Sequence, residues 1–217
     1  AYVYFDSNVS ILDQVLSINS RSVSIYANKI PNNTTNNAIL KLTGGTLSQT
    51  VPGSVSLVID GEVTSTVDLV GQTVINPNKN LTVSADYIHS ANLTNNGLLK
   101  LSGGTLSENI SVYGNAEISG SVATSANRLN TAVTNNGSLR ITDGTIEQSI
   151  TGTGGIVIDG NVSSDVSLVQ NLTVNQNKTL TISASNLNSD YIYSRGRIYL
   201  KLRRKSGSAG MPRPISY

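Results

Sequence analysis

The chain has no cysteine and no tryptophan, one methionine, one phenylalanine and one histidine in 217 residues, and only 13% of it is charged. These absences exclude a disulfide framework, a thiol nucleophile and thiolate-held zinc or iron–sulfur centres. A serine triad would have to recruit His89, and no G-x-S-x-G elbow is there to present a serine. One imidazole with no thiol beside it is a poor metal site, so neither a metal nor a cofactor is expected. No apolar run reaches the roughly 18 residues of a membrane-spanning helix. Alanine and glutamate are scarce, whereas Asn, Ser and Thr together make up about a third of the chain. That balance starves helices and favours turns and β-ladders.

Charge is divided along the chain. Residues 1–190 carry 8 basic and 13 acidic side chains, and residues 191–217 carry 7 basic and none acidic. The body is therefore negative, which gives nucleic-acid binding no support there. The stretch Arg203-Arg204-Lys205 onward reads as a disordered basic tail over 203–217.

What is present is a repeat. The run TNNAILKLTGGTL at 35–47 returns as TNNGLLKLSGGTL at 94–106 and as TNNGSLRITDGTI at 134–146. A second block follows each copy, IDGEV at 59–63, ISGSV at 118–122 and IDGNV at 158–162. A third, INPNKNLTVSA at 75–85, recurs as VNQNKTLTISA at 174–184 and is missing after the middle copy. The offsets of 59 and 40 suggest a unit of about 19–21 residues, one of which the middle copy lacks. Gly196, Ile198 and Leu200 begin a fourth copy, where Gly97, Leu99 and Leu101 predict it.

A chain that drops one such unit without disturbing its neighbours is built from stacked, equivalent layers. The expected fold is all-β, a right-handed parallel β-helix with turns of about 19–21 residues, over residues 1–202. Residues 1–14 are expected to form an N-terminal cap strand and 15–202 the repeats. Apolar residues alternate with polar ones as they do in strands with one face inward. The expected core is Leu40, Leu42, Ile59, Val63, Leu81, Val83, Leu99, Leu101, Leu139, Ile141, Ile158, Leu180 and Ile182, with Leu47 and Val51 beside them. Gly44-Gly45, Gly103-Gly104, Asp60-Gly61, Asp143-Gly144 and Asp159-Gly160 are placed at corners, where glycine supplies positive φ. Asn36-Asn37, Asn95-Asn96 and Asn135-Asn136 suit bends, the amide bonding local backbone.

No catalytic residue emerges. Lys41, Lys100 and Arg140 recur at one outward position and are expected to line up sparsely along one side. The one local concentration of carboxylates is Asp143, Glu147, Asp159 and Asp165, a candidate ligand-binding or glycan-cleaving set against the plain alternative of solvated corners. His89 is expected on the surface.

These alternating runs, with NNG before the strand and GGT after it, resemble the repeat regions of Gram-negative autotransporter passengers and filamentous-haemagglutinin-type adhesins. The resemblance spans about residues 15–202. It implies a right-handed β-helix outside the cell or on the bacterial surface, a fragment of a larger exported adhesin. It also implies a structural or adhesive role, with a host or bacterial surface glycan or protein as partner and no membrane insertion. Two other roles stay open: a polysaccharide-active β-helix of the lyase or tailspike kind, and a filament subunit that self-associates through the ends of the coil.

Overall fold

The computed structural model describes residues 3–4, 17–18, 22–32, 34–53, 56–69, 71–89, 93–108, 110–112 and 114–201. Most of the expected cap over 1–14 and the whole tail over 203–217 lie outside these. The rest is a β-solenoid of about nine turns, almost without helix, in which every ladder between strands is parallel. At about 4.8 Å per stacked strand, nine turns make a column on the order of 45 Å long.

Three main sheets form its walls. Among the described residues, the first stacks Ser22–Ile25, Ile39–Leu42, Leu57–Ile59, Thr73–Ile75 and Leu93–Asn95 between Val3–Tyr4 and Ile110–Val112. The second runs from Gly45–Leu47 through Glu62–Ser65, Asn80–Val83, Leu98–Leu101, Asn115–Ile118 and Val133–Asn135 to Ile150–Thr151. The third begins only at Gly104–Leu106 and continues through Ser121–Thr124, Ser138–Ile146 and Gly155–Ser164. Ser138–Ile146 and Gly155–Ser164 are long because each turns a corner, with a register shift between Ile141 and Asp143. Their first halves continue into Leu172–Val174 and Ile192–Ser194, and their second halves into Thr179–Ser183 and Arg197–Lys201.

The turn is shorter than the sequence repeat suggests. Val23 lies opposite Leu40 and Leu99 opposite Ala116, a step of seventeen in each case, while the step from Val63 to Leu81 is eighteen. The extremes are sixteen, from Leu57 to Thr73, and twenty, from Thr73 to Leu93. The repeat therefore runs out of phase with the coil. Leu42 stacks through Ile59 and Ile75 to Asn95 in the first wall. Its equivalent Leu101 stacks through Ile118 to Asn135 in the second, and Ile141 stacks on Ile158 in the third. The second copy lies three turns and one wall beyond the first, and the third copy two turns and one wall beyond the second. The missing block is thus one whole turn, as expected, while each copy moves to a new wall.

One column of side chains fills the interior. All thirteen expected core residues are buried in a single cluster, none more than 2% exposed. Leu47 joins them, but Val51 is only half-buried against the cluster. Burial of each such aliphatic side chain contributes about 1.5–3 kcal/mol. The first Asn of each Asn-Asn pair also points inward. The Nδ2 groups of Asn36, Asn95 and Asn135 donate to the carbonyls of Ser56, Asn115 and Gly155, at 3.3, 2.9 and 3.0 Å. Their Oδ1 atoms accept from the backbone N–H two residues on, as at Gly97. Each amide thereby closes its own bend and ties it to the next turn.

Corner glycines serve two purposes rather than one. Gly45 and Gly104 have φ of +86° and +87°, as expected. Gly61 and Gly160 do not adopt positive φ; a Cβ there would strike the carbonyl oxygen of Thr43 or Thr142 in the turn below. Four short 3-10 turns, Ala27–Lys29, Ala85–Tyr87, Ala126–Arg128 and Ala184–Asn186, have no counterpart in the strand-only expectation. The first two lie directly under glycine pairs, the Ala27 and Ala85 N–H groups donating to the Gly44 and Gly103 carbonyls.

Candidate functional site

The outward cations do not form a line. Lys41 lies on the first wall, Lys100 on the second and Arg140 on the third, because the repeat shifts phase against the coil. Each instead bonds a carboxylate one turn on. Lys41 Nζ lies 3.3 Å from Asp60, Lys100 Nζ 3.9 Å from Glu117, and Arg140 Nε donates to Asp159 at 2.6 Å. An asparagine from the following turn completes each rung: Asn76 donates to Asp60 at 2.8 Å, Asn136 to Glu117 at 3.4 Å and Asn175 to Asp159 at 2.9 Å. The amide of Asn76, with Lys41 behind it, holds the Asp60 carboxyl below the usual carboxylate range. The amide of Asn175, with Arg140, does the same for Asp159. Three stacked turns are thereby joined by one charge-assisted chain on each of three walls.

The four carboxylates singled out from sequence occupy two adjacent turns. Asp143 is opposite Asn161 in the ladder, and Ile146 is opposite Ser164, so Glu147 and Asp165 follow on neighbouring strands. Two of the four are engaged: Asp159 by Arg140 and Asn175, and Asp165 by Lys201 at 3.0 Å. Glu147 borders a shallow groove with Asn127, Asn130 and Gln148. No group of three or more His, Asp or Glu among the described residues is arranged to hold a metal ion. His89 is exposed and lies 3.2 Å from Asp68. At the equivalent place in the later copy, Asn188 donates to Ser167 in the same way, at 3.2 Å, so the bridge belongs to the repeat.

Two features escaped the sequence reading. On the second wall, Thr46, Thr64 and Thr82 stack in register, followed by the Lys100–Glu117 pair and then Thr134 and Thr151. The row is hidden in sequence because its members occupy different places in the repeat. The other feature is the last described turn, where Tyr191, Tyr193 and Tyr199 are exposed beside Arg195 and Arg197. Arg195 Nε donates to the Tyr193 hydroxyl at 2.5 Å, with its guanidinium carbon 5.3 Å from that ring's centre. The offset that identifies the fourth copy in sequence also locates these side chains.

Comparison of the chain with protein-family models, with curated proteins and with solved structures gave no match.

Proposed function

We propose that this chain is a non-enzymatic structural and adhesive coil, displayed on a bacterial surface or outside the cell and part of a larger exported adhesin. Its walls meet a surface glycan or protein through many weak contacts rather than through one pocket. The observation that carries this reading is how the walls spend their charge. The cations Lys41, Lys100 and Arg140 are used up in rungs between turns, and rows of hydroxyls such as Thr46–Thr64–Thr82 face outward in register. Such a surface offers one modest contact per turn, repeated over the length of the column, and adds affinity by multiplicity.

Beads coated with the purified chain and presented to bacterial and epithelial cell layers test the proposal. Attachment well above beads coated with an unrelated protein is expected, together with no release of reducing ends from polysaccharides incubated with the chain. Beads that attach no better than the control overturn the adhesive reading. Reducing-end release that disappears in Asp143→Ala or Asp159→Ala would transfer the function to a polysaccharide-cleaving site.

A further inference from the structure

The fourth copy of the repeat keeps the inward aliphatic pair of the earlier copies, has Ser194 in place of the inward Asn95, and replaces all the outward residues. Relative to the copy at 94–102, Ile198 and Leu200 stand at the inward positions of Leu99 and Leu101. At the outward positions Thr94 becomes Tyr193, Asn96 becomes Arg195, Leu98 becomes Arg197, Lys100 becomes Tyr199 and Ser102 becomes Lys201. The core pattern persists while the wall changes from neutral or paired groups to interspersed tyrosines and cations. This contrast is confined to the side of the coil, and a further turn stacked above would leave these side chains facing outward.

Two cations of this strip differ from their counterparts Lys41, Lys100 and Arg140 in a second way. Lys41, Lys100 and Arg140 each bond a carboxylate in the next turn, and Lys201 bonds Asp165. Arg195 and Arg197 form no ion pair among the described residues. Arg195 is held over the Tyr193 ring, an arrangement that fixes a guanidinium without neutralising it. Arg197 stacks above Thr179 in the ladder. Arg195 and Arg197, with Asn177, Thr179 and the bare backbone of Gly196, line a polar groove at the corner. Gly196 has no tolerance for a side chain, since a Cβ would strike the carbonyls of Asn175 and Lys178. The floor of the groove is therefore fixed as open backbone.

We infer that this Tyr–Arg strip is a binding site for an acidic polysaccharide, whose carboxylate or sulfate groups dock on Arg195 and Arg197 while neighbouring sugar rings lie on Tyr193 and Tyr199. The inference deepens the adhesive reading and rests on it, naming the chemistry of the partner. Guanidinium forks take carboxylate and sulfate in paired hydrogen bonds. Tyr193 and Tyr199, exposed to 41% and 51% as whole residues, offer an apolar ring face and a hydroxyl to a sugar. Arg197 and Tyr199 lie two residues apart on one strand, a spacing of about 6.6–6.8 Å, and Tyr193 and Arg195 meet them across the corner, so charges and rings are interspersed as they are along a glycan that is only partly acidic. A nucleic acid carries a phosphate at every residue and needs a denser array of cations. Three turns below on the same wall stand Asp143 and Glu147, which repel a uniform polyanion.

The test uses the full chain against immobilised hyaluronate and kappa-carrageenan, acidic at every second sugar, and against neutral dextran and single-stranded DNA, with circular dichroism confirming that each variant folds. The chain is expected to bind one or both acidic glycans and not dextran. Arg195→Gln with Arg197→Gln should weaken that binding about tenfold or more. Tyr193→Ser with Tyr199→Ser should weaken it about three- to tenfold. A third variant, Arg203→Gln with Arg204→Gln and Lys205→Gln, should stay within about threefold of the parent, as the inferred site does not include these residues and their charge adds only screened attraction. The inference is overturned if the parent binds neither acidic glycan, if the Arg195/Arg197 variant binds like the parent, if loss follows the 203–205 variant alone, or if dextran or DNA binds as tightly. Bead attachment measured in parallel separates the two proposals: coated beads that attach to cells while the acidic glycans fail leave the adhesive reading standing without this site.

Discussion

Leu42 and Leu101 occupy the same place in two copies of one sequence motif, yet they lie in different walls of the coil and share only its core. The reason is that the motif encodes a local unit of strand, corner and strand, and every wall accepts that unit. An inward leucine pair needs only an apolar column ahead of it, and a glycine pair needs only a corner. Nothing in the motif specifies which corner. The phase of the coil is set instead by the summed length of strands and bends. That sum varies from the short step between Leu57 and Thr73 to the long one between Thr73 and Leu93, with Leu99 to Ala116 and Val63 to Leu81 in between.

Turn length can be tested by deletion. Removing residues 99–115 takes out the span between the in-register partners Leu99 and Ala116. It should leave a cooperative thermal transition within a few degrees of the parent, because stacked layers are nearly independent. Removing residues 97–116, a full sequence unit, displaces every later strand by three further residues. Inward and outward side chains then exchange on the wall, and this variant should lose the cooperative transition in a circular-dichroism melt.

The buried asparagines hold each bend to the next turn, so Asn95→Leu should be costly although leucine is close in size. It strands the Gly97 N–H and the Asn115 carbonyl, which Asn95 now satisfies. Denaturant unfolding should report a loss of about 2–4 kcal/mol, the cost of leaving a buried donor and acceptor unpaired. Leu98→Ser, at the half-buried start of the following strand, should cost less than about 1 kcal/mol.

Thr73 lies fully buried between Leu57 and Leu93 in the first wall, and its hydroxyl has no hydrogen-bond partner among the described residues. Thr73→Val keeps the shape and removes the polar atom. It should stabilise the fold by about 1 kcal/mol, read as a higher denaturant midpoint with an unchanged slope.

The rungs predict acid sensitivity of definite sign. Asp60 and Asp159 have carboxyls lowered from 3.8 by the amides of Asn76 and Asn175 and by the cations Lys41 and Arg140. A group depressed in the folded state contributes stability that is complete above its unfolded value and disappears as pH falls through the folded one. Stability should therefore decline below about pH 4. Asp60→Asn with Asp159→Asn should be less stable than the parent at pH 7, and the gap should close in acid. A gap that widens as pH falls would contradict the assignment.

How far the sequence reveals this molecule follows from what acts locally. The thirteen core positions were legible because alternation within a strand is a property of three or four consecutive residues, and the corners because glycine marks them. The rungs were not, since Asn76 and Asp60 meet only when the turn length is known. The same holds for the threonine row of the second wall, and for the three separate walls of Lys41, Lys100 and Arg140. Among the candidate carboxylates, the sequence places Asp143, Glu147, Asp159 and Asp165 near one another, but not the Arg140 and Lys201 side chains that engage two of them. The Tyr–Arg strip was half legible: the copy that contains it is visible in sequence, and the contrast with its paired counterparts requires the structure.

The most direct measurement is a set of backbone nuclear Overhauser contacts between strands in the isotope-labelled chain. The structure predicts parallel contacts between Leu81 and Leu99, Leu99 and Ala116, Leu139 and Ile156, and Val162 and Leu180, each a step of seventeen or eighteen along the chain. A uniform step as long as the sequence unit, placing Leu42, Leu101 and Ile141 in one wall, or contacts of antiparallel type, would contradict it.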